Sequence, residues 1–285
     1  MNIIEATHPL SDQQRSEIIF AGDLLLFRQL PSMLALCQYV DRFMSEALDG
    51  GSPEQAIHNL SAEDYLQFII DMQQRFQEDS ETKKLFFQVL QETGVNLGST
   101  FYDYFPMRVV SAQEKFTSGL RTTVGHHRDT WGGNVQAQCN WWAPIYDIEA
   151  ERSMAFYPDY WDKATVNTTA DWEFSKYLAA RKETPKGEKV PYPGAPELLE
   201  TIDESNAFKV VLSAGDVLNF SSAHLHATVP NTTELTRYSV EMRTINLVDL
   251  QAGRGAPNID NAGKTVRYNW YRNALDNSSL KESIG

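Results

Sequence analysis

The chain reads as a mainly β protein with a helical N-terminal region packed against it. Two observations predict this. Up to about residue 95, apolar residues recur at helical spacing. From about 99 onward, short β-branched and aromatic runs alternate with Gly, Pro and Asn, as in an all-β sandwich or barrel. No internal repeat or clear linker interrupts the chain, so residues 1–285 are expected to form a single domain. Residues 1–98 form a helical buttress, 99–250 the β core with an insertion at about 155–206, and 251–285 a C-terminal extension.

In chain order, Pro31 opens a helix whose Leu36, Val40, Phe43, Met44 and Ala47 form one stripe, closed by Gly50-Gly51. Ser52-Pro53-Glu54-Gln55 reads as a capping box with Pro at the first helical position. Ser61 precedes a second stripe (Tyr65, Leu66, Ile69, Met72, Phe76). Leu85, Phe86, Val89 and Leu90 make a third, stopped at Gly94. Core packing accounts for all three. Strand runs follow at 101–110, 135–145, 208–212, 216–221 and 237–247. The insertion carries Tyr157, Tyr160, Trp161 and Trp172, and its Lys/Glu/Pro-rich segment 182–189 reads as an exposed loop of the kind that forms lids.

Composition narrows the function. Lys and Arg number 25 against 38 Asp and Glu, a net charge of −13, and no long basic run occurs. A nucleic-acid backbone or an anionic membrane is therefore not the expected partner; a small molecule is. The first twenty residues lack the basic and apolar regions of a signal peptide, and no apolar run approaches the roughly 18 residues of a membrane span. Two cysteines, Cys37 and Cys139, form no disulfide framework, which fits a reducing, cytoplasmic location. Oligomeric state is left open.

Chemistry concentrates in two segments, His126-His127-Arg128-Asp129 and His224-Leu225-His226, the latter followed by Arg237-Tyr238-Ser239. Acids occupy 38 of 285 positions, so with six histidines one fortuitous His-x-acid pair is expected, and the pair needs context. Context is present, because four of the six histidines fall in these two clusters. In a strand, positions i and i+2 share a face, so His127 and Asp129 can point into one pocket. An imidazole, a carboxylate and a distant third histidine, His224 or His226, suit Fe(II) held on three of six positions, with three left for co-substrate and O2. Arg237 and Ser239 form a candidate carboxylate clamp, since a planar guanidinium binds a carboxylate through two parallel hydrogen bonds. Arg243 is a weaker clamp candidate on the same strand. Gln136, Gln138 and Asn140 alternate along one strand, as either a wet face or a pocket lining, with Cys139 on the packed side. His126 should face away from His127, Glu241 reads as an ion-pair member, Asn219 lies near the distal histidine in sequence, and Trp131 with Gly132-Gly133 is a candidate pocket rim.

With these residues the chain resembles the Fe(II)/2-oxoglutarate-dependent dioxygenases, and among them the phytanoyl-CoA hydroxylase-like group. There the distal histidine is often followed by a Pro-Asn turn and an arginine about eleven residues on; here Pro230-Asn231 lies between His226 and Arg237, which are eleven apart, whereas His224 is thirteen away. The resemblance covers about 100–247. It implies a double-stranded β-helix (jelly-roll, cupin-like) core buttressed by α-helices, with His127, Asp129 and His226 as iron ligands. It further implies Arg237 and Ser239 on 2-oxoglutarate, and Gln138 and Asn140 lining the site. Fe(II), 2-oxoglutarate and O2 are the implied cofactors, with ascorbate in support. Halogenating relatives have Ala or Gly where Asp129 stands, so the implied reaction is hydroxylation or desaturation of a small-to-medium metabolite. Two rival readings are a three-histidine cupin (His127, His224, His226) acting as a dioxygenase or isomerase without 2-oxoglutarate, and a non-catalytic jelly-roll binding protein.

Overall fold

The computed structural model describes residues 1–112, 124–185 and 190–284. The strands are β1 (Ile3–Ala6), β2 (Leu24–Phe27), β3 (Thr100–Tyr102), β4 (Met107–Val110), β5 (Gln138–Pro144), β6 (Met154–Phe156), β7 (Phe208–Lys209), β8 (Val217–Ser221), β9 (His226–Thr228), β10 (Arg237–Asn246) and β11 (Arg272–Asn273). The helices are α1 (Asp12–Phe20), α2 (Pro31–Glu46), α3 (Ala56–Asn59), α4 (Ala62–Glu78), α5 (Ser80–Glu92), α6 (Thr130–Gly133), α7 (Phe174–Glu183), α8 (Leu247–Gln251) and α9 (Leu280–Ser283).

Eight strands form one mixed sheet in the order β1-β2-β8-β5-β10-β3-β11, with β4 pairing to β10 beside β3; β7-β6-β9 form a smaller sheet. The pleat sorts side chains to two cores. Leu25, Phe27, Trp141, Tyr238, Val240 and Met242 face the helices, packing with Leu36, Val40, Tyr65, Ile69, Phe86 and Val89. Their neighbours Leu24, Leu26, Trp142, Leu218 and Phe220 face the other way and pack on Met154 and Phe156 of the small sheet. Helices thus cover one face of the large sheet and the small sheet covers part of the other. Along β10, Arg237, Ser239, Glu241 and Arg243 alternate with core residues and point to the small-sheet side.

The helical stripes form α2, α4 and α5, with Pro31 at the start of α2, Ser61 accepting from the Asp64 N–H, and Asp79 capping α5. Gly94 ends the last at φ +93°, where an added Cβ would lie 2.3 Å from the Leu10 carbonyl oxygen. Three features differ from the sequence reading. Residues 1–98 also supply strands β1 and β2, because the unbroken apolar run Leu24-Leu25-Leu26-Phe27 has no helical period and is buried on both faces. Ser52 makes no cap hydrogen bond; Pro53–Gln55 is a single 3-10 turn, and Glu54 instead pairs with the buried Arg152 at 2.6 Å. The run 208–212 is strand only at Phe208–Lys209. Of the expected loop 182–189, residues 186–189 lie outside the described residues. No described helix is long and apolar enough to cross a membrane.

The C-terminal extension is stitched to the site. The Asp260 carboxylate accepts from Arg128 Nε (3.1 Å), Trp131 Nε1 (2.7 Å) and Thr165 Oγ1 (2.9 Å). The remaining Arg128 donors reach the carbonyls of Ala223, Tyr160 and Lys163. This buried arginine therefore ties 128, the insertion and the extension together, which holds the segment between His127 and Asp129 in place.

Candidate metal centre and the cavities beside it

His127 lies beside the first residue of β9, exchanging backbone hydrogen bonds of 3.0 Å in both directions with His226. Asp129 follows at the start of α6. The ligand atoms of His127, Asp129 and His226 lie within 4.8 Å of one another. His127 Nε2 is 3.6 Å from Asp129 Oδ1, and His226 Nε2 is 3.7 Å from Asp129 Oδ2. Each imidazole turns its other nitrogen to a backbone carbonyl, Nδ1 of His127 to Gly125 (2.8 Å) and Nδ1 of His226 to His224 (3.0 Å). A proton on Nδ1 leaves the Nε2 lone pair directed at the cluster, the arrangement that orients metal-binding imidazoles.

The electrostatics favour the ligating forms of His226 and Asp129, whereas at His127 burial is outweighed by the adjacent Asp129, which raises the imidazole above its ordinary value. Burial pushes His226 down to about 4, so it is neutral at pH 7. Burial opposes ionisation of Asp129, but the adjacent His127, with His226 and Arg243 nearby, outweighs it and holds the carboxyl well below the usual range. Asp129 Oδ2 also accepts from Asn140 Nδ2.

His224 is elsewhere. Fully buried under Trp161, with ring centroids 4.4 Å apart, it faces the carbonyls of Ser221 (2.8 Å) and Gly22 (3.1 Å) with its two nitrogens. The set His127, His224 and His226 is not assembled, because successive side chains across 224–226 enter different packing environments.

Two cavities meet at the cluster. The inner one is lined by His127, Asp129, His226, Asn140, Trp142 and Arg237. Arg237 is buried, its Nη1 donates to the Ser153 carbonyl (2.6 Å), and its Nε has no partner. Burial pushes Arg237 down to about 10, so it stays charged at neutral pH. No ion pair to Arg237 occurs among the described residues; its strand neighbour Glu241 is taken by Arg108 at 2.5 Å. Ser239, two residues along the same face, is fully buried with its Oγ unpartnered. A buried cation with unused donors is costly unless a ligand supplies the anion.

The outer cavity, about 990 Å³, also reaches His127 and Asp129. Trp172, Phe174, Tyr177 and Trp270 wall it on one side; Asp103, Arg108 and Arg243 lie on the other. Arg243 pairs with Asp103 at 2.5 Å and reaches to 3.7 Å from Asp129.

The structure therefore brings His127, Asp129, His226, Arg237 and Asn140 to one place, with Ser239 beside them. Gln138 stands behind the cavity, its amide held by Ser222 and Tyr271. Asn219 faces the helix side of the sheet, next to Cys139 and Trp141. Trp131 is core and only Gly132 lines the outer cavity. His126 does line that cavity, with Nε2 3.0 Å from Glu204 and an edge-to-face contact with Tyr157. Sequence reasoning passed over Arg108, Asp103 and Trp270. Arg243 was legible, standing an even number of residues from Arg237 on one strand, but its importance comes from Asp103, which lies in a loop.

Neither the protein-family models nor the curated proteins include a match to this chain. Among solved structures it is similar to an apo non-heme monooxygenase, ThoJ, at 18% identity over 81% of this chain and 77% of that one, with a TM-score of 0.41. It is also similar to SnoN, a non-heme alpha-ketoglutarate-dependent epimerase from nogalamycin biosynthesis, at 15% identity, 82% of each chain and TM-score 0.39. A third is AviO1 from Streptomyces viridochromogenes Tue57, at 12% identity, 89% of this chain, 100% of that one and TM-score 0.40. At this level of likeness, function has to be argued from the residues of the site.

Proposed function

We propose that the protein is an Fe(II)- and 2-oxoglutarate-dependent oxygenase that hydroxylates or desaturates a small-to-medium metabolite, working as one domain whose two sheets are a double-stranded β-helix. The observation that carries this reading is the meeting of two cavities at His127, Asp129 and His226, the inner one ending on a buried arginine without an anion. Two imidazoles and a carboxylate suit Fe(II), and His127, Asp129 and His226 would hold it. The far carboxylate of 2-oxoglutarate fits the free Nε of Arg237 and the unpartnered Ser239 hydroxyl. When bound, iron with 2-oxoglutarate and O2 supplies oxidation of an unactivated C–H bond, with succinate and CO2 as co-products. The chain's own part is positional: Arg237 orients the co-substrate, the Nδ1 hydrogen bonds aim the imidazoles, and the aromatic wall presents the substrate carbon to the cluster.

The outer cavity also speaks to substrate charge. Arg243 is engaged by Asp103 and Arg108 by Glu241, while Glu197 and Glu200 line the same space. Among the described residues no unpaired cation faces it. An uncharged or cationic molecule with an apolar or aromatic flank fits; a multiply anionic one does not. The volume suits a drug-sized ligand.

The test is succinate formation by purified protein given Fe(II), ascorbate, O2 and 2-oxoglutarate, alone and with a panel of uncharged and anionic compounds. Turnover is expected in wild type and absent in His127→Ala. Equal succinate release by the two proteins would overturn the reading. The three-histidine alternative predicts loss of metal on replacing His224 and is disfavoured by that residue's two carbonyl contacts.

A further inference from the structure

Behind the metal cluster runs a directed chain of side-chain hydrogen bonds. Tyr271 Oη donates to Gln138 Oε1 (2.5 Å), Gln138 Nε2 to Ser222 Oγ (2.7 Å), Ser222 Oγ to Asn140 Oδ1 (2.6 Å), and Asn140 Nδ2 to Asp129 Oδ2. Tyr271, Gln138, Ser222 and Asn140 are all buried. They come from the C-terminal extension, β5 and the turn after β8.

The direction is forced. An ionised carboxylate only accepts, so Asn140 must present its NH2 to Asp129. The Asn140 oxygen then faces Ser222, whose single proton must go there. Ser222 can only accept from Gln138, so Gln138 presents its NH2 to Ser222 and its oxygen to Tyr271. Tyr271 must donate. The charge at Asp129 thus sets the orientation of two amides and two hydroxyls, and a buried chain of this kind is strengthened by its own polarisation.

We infer that Tyr271, Gln138, Ser222 and Asn140 form a positioning relay. It pins Asp129 through Oδ2 and so fixes the carboxylate between the two imidazoles, Oδ1 at 3.6 Å from His127 Nε2 and Oδ2 at 3.7 Å from His226 Nε2. This assigns Gln138 and Asn140 to the metal rather than to the co-substrate, and gives the C-terminal extension a role at the centre. The inference rests on the metal-centre reading above.

The test is Co(II) binding by calorimetry and visible absorption, without co-substrate or turnover. Asn140→Ala should weaken Co(II) by about 10- to 100-fold, the usual effect of losing a partner that orients a ligand. Tyr271→Phe removes one oxygen four hydrogen bonds from Asp129; it should weaken Co(II) by about three- to tenfold and alter the Co(II) spectrum. In an Asn140→Ala background, Tyr271→Phe should add nothing further. Wild-type affinity and spectrum in Tyr271→Phe, or independent effects in the double variant, would overturn the relay and leave the metal centre standing. Wild-type protein that binds no Co(II) overturns both. Ser222→Ala interrupts the chain at its middle and gives the same reading should Tyr271→Phe fail to fold, which the thermal midpoint of the metal-free protein reports.

Discussion

The two sides of the central cavity are built differently. On the metal side, His226 begins a strand, His127 is bridged to it, and Arg237 and Ser239 sit in β10, the longest strand of the large sheet. The facing wall comes from the insertion and the C-terminal extension. Its helix α7 has no buried residue, and Phe174 meets Trp270 with ring centroids 4.9 Å apart. Arg267 lies over Trp172, Phe174 and Trp270 at about 5 Å, a guanidinium packed among three rings. The division is one of construction: His226, Arg237 and Ser239 stand on paired strands and His127 is bridged to one, whereas the facing wall stands on α7 and on irregular segments of the insertion and the extension, the latter also reaching back to the cluster through Asp260 and Tyr271.

That division can be broken by experiment. The largest effect is expected from Asp129→Ala, which removes a proposed ligand and the acceptor at the end of the proposed relay; Co(II) binding by calorimetry and succinate formation should both be lost. Retained tight metal binding would mean that the cluster is not the centre. Next comes Arg237→Leu, which should raise the 2-oxoglutarate Kd by about 100-fold, near 3 kcal/mol for truncating one partner of a buried charge pair. Its Co(II) affinity should stay at the wild-type value; a parallel loss of both would show that the inner cavity and the metal are not separable.

Acid tests the buried histidines in the metal-free protein. Burial pushes His224 down to about 4, below the unperturbed value of roughly 6.5. A depressed histidine pKa means that the unfolded chain binds the proton more readily. The stabilisation is therefore full above about pH 6.5 and is lost as pH falls through about 4, to a limit of about 3 kcal/mol. His226 is depressed in the same direction, while His127 is raised and opposes the fall, so His224→Gln should reduce the fall in urea midpoint between pH 7 and pH 4.5. An unchanged slope would refute the assignment. The smallest effect belongs to the facing wall: Trp172→Ala should weaken an accepted substrate by about tenfold, or about 1.4 kcal/mol, while Co(II) and 2-oxoglutarate affinities hold. Wall variants that perturb the metal as strongly as strand variants would erase the contrast.

Much of the frame was legible before folding. The stripes of α2, α4 and α5 follow from helical period, and β5, β8 and β10 from β-branched and aromatic runs bounded by turn residues. The common face of Arg237 and Ser239 follows from strand period alone. The pattern was silent where a segment has no period, as at Leu24–Phe27, which became a sheet strand, and where a side chain's use depends on a distant partner. Gln138 and Asn140 share a face, yet only Asn140 borders a cavity, because Tyr271 and Ser222 close over Gln138.

The sequence supplied the donors, the shared face of Arg237 with Ser239 and a buried helical layer behind them; His127 and Asp129, expected to share a strand face, converge instead because the chain turns after His127 and Asp129 caps α6 in helical conformation. Tertiary structure alone decided that residues 127 and 226 become cross-strand neighbours, that His224 is drawn away to Gly22 and Ser221, and that a tail beyond residue 251 supplies Tyr271, Trp270 and Asp260 to the centre. The physical reason is that periodicity is a local property of the backbone, whereas the partner across a sheet is set by long-range pairing and by which surfaces bury each other best.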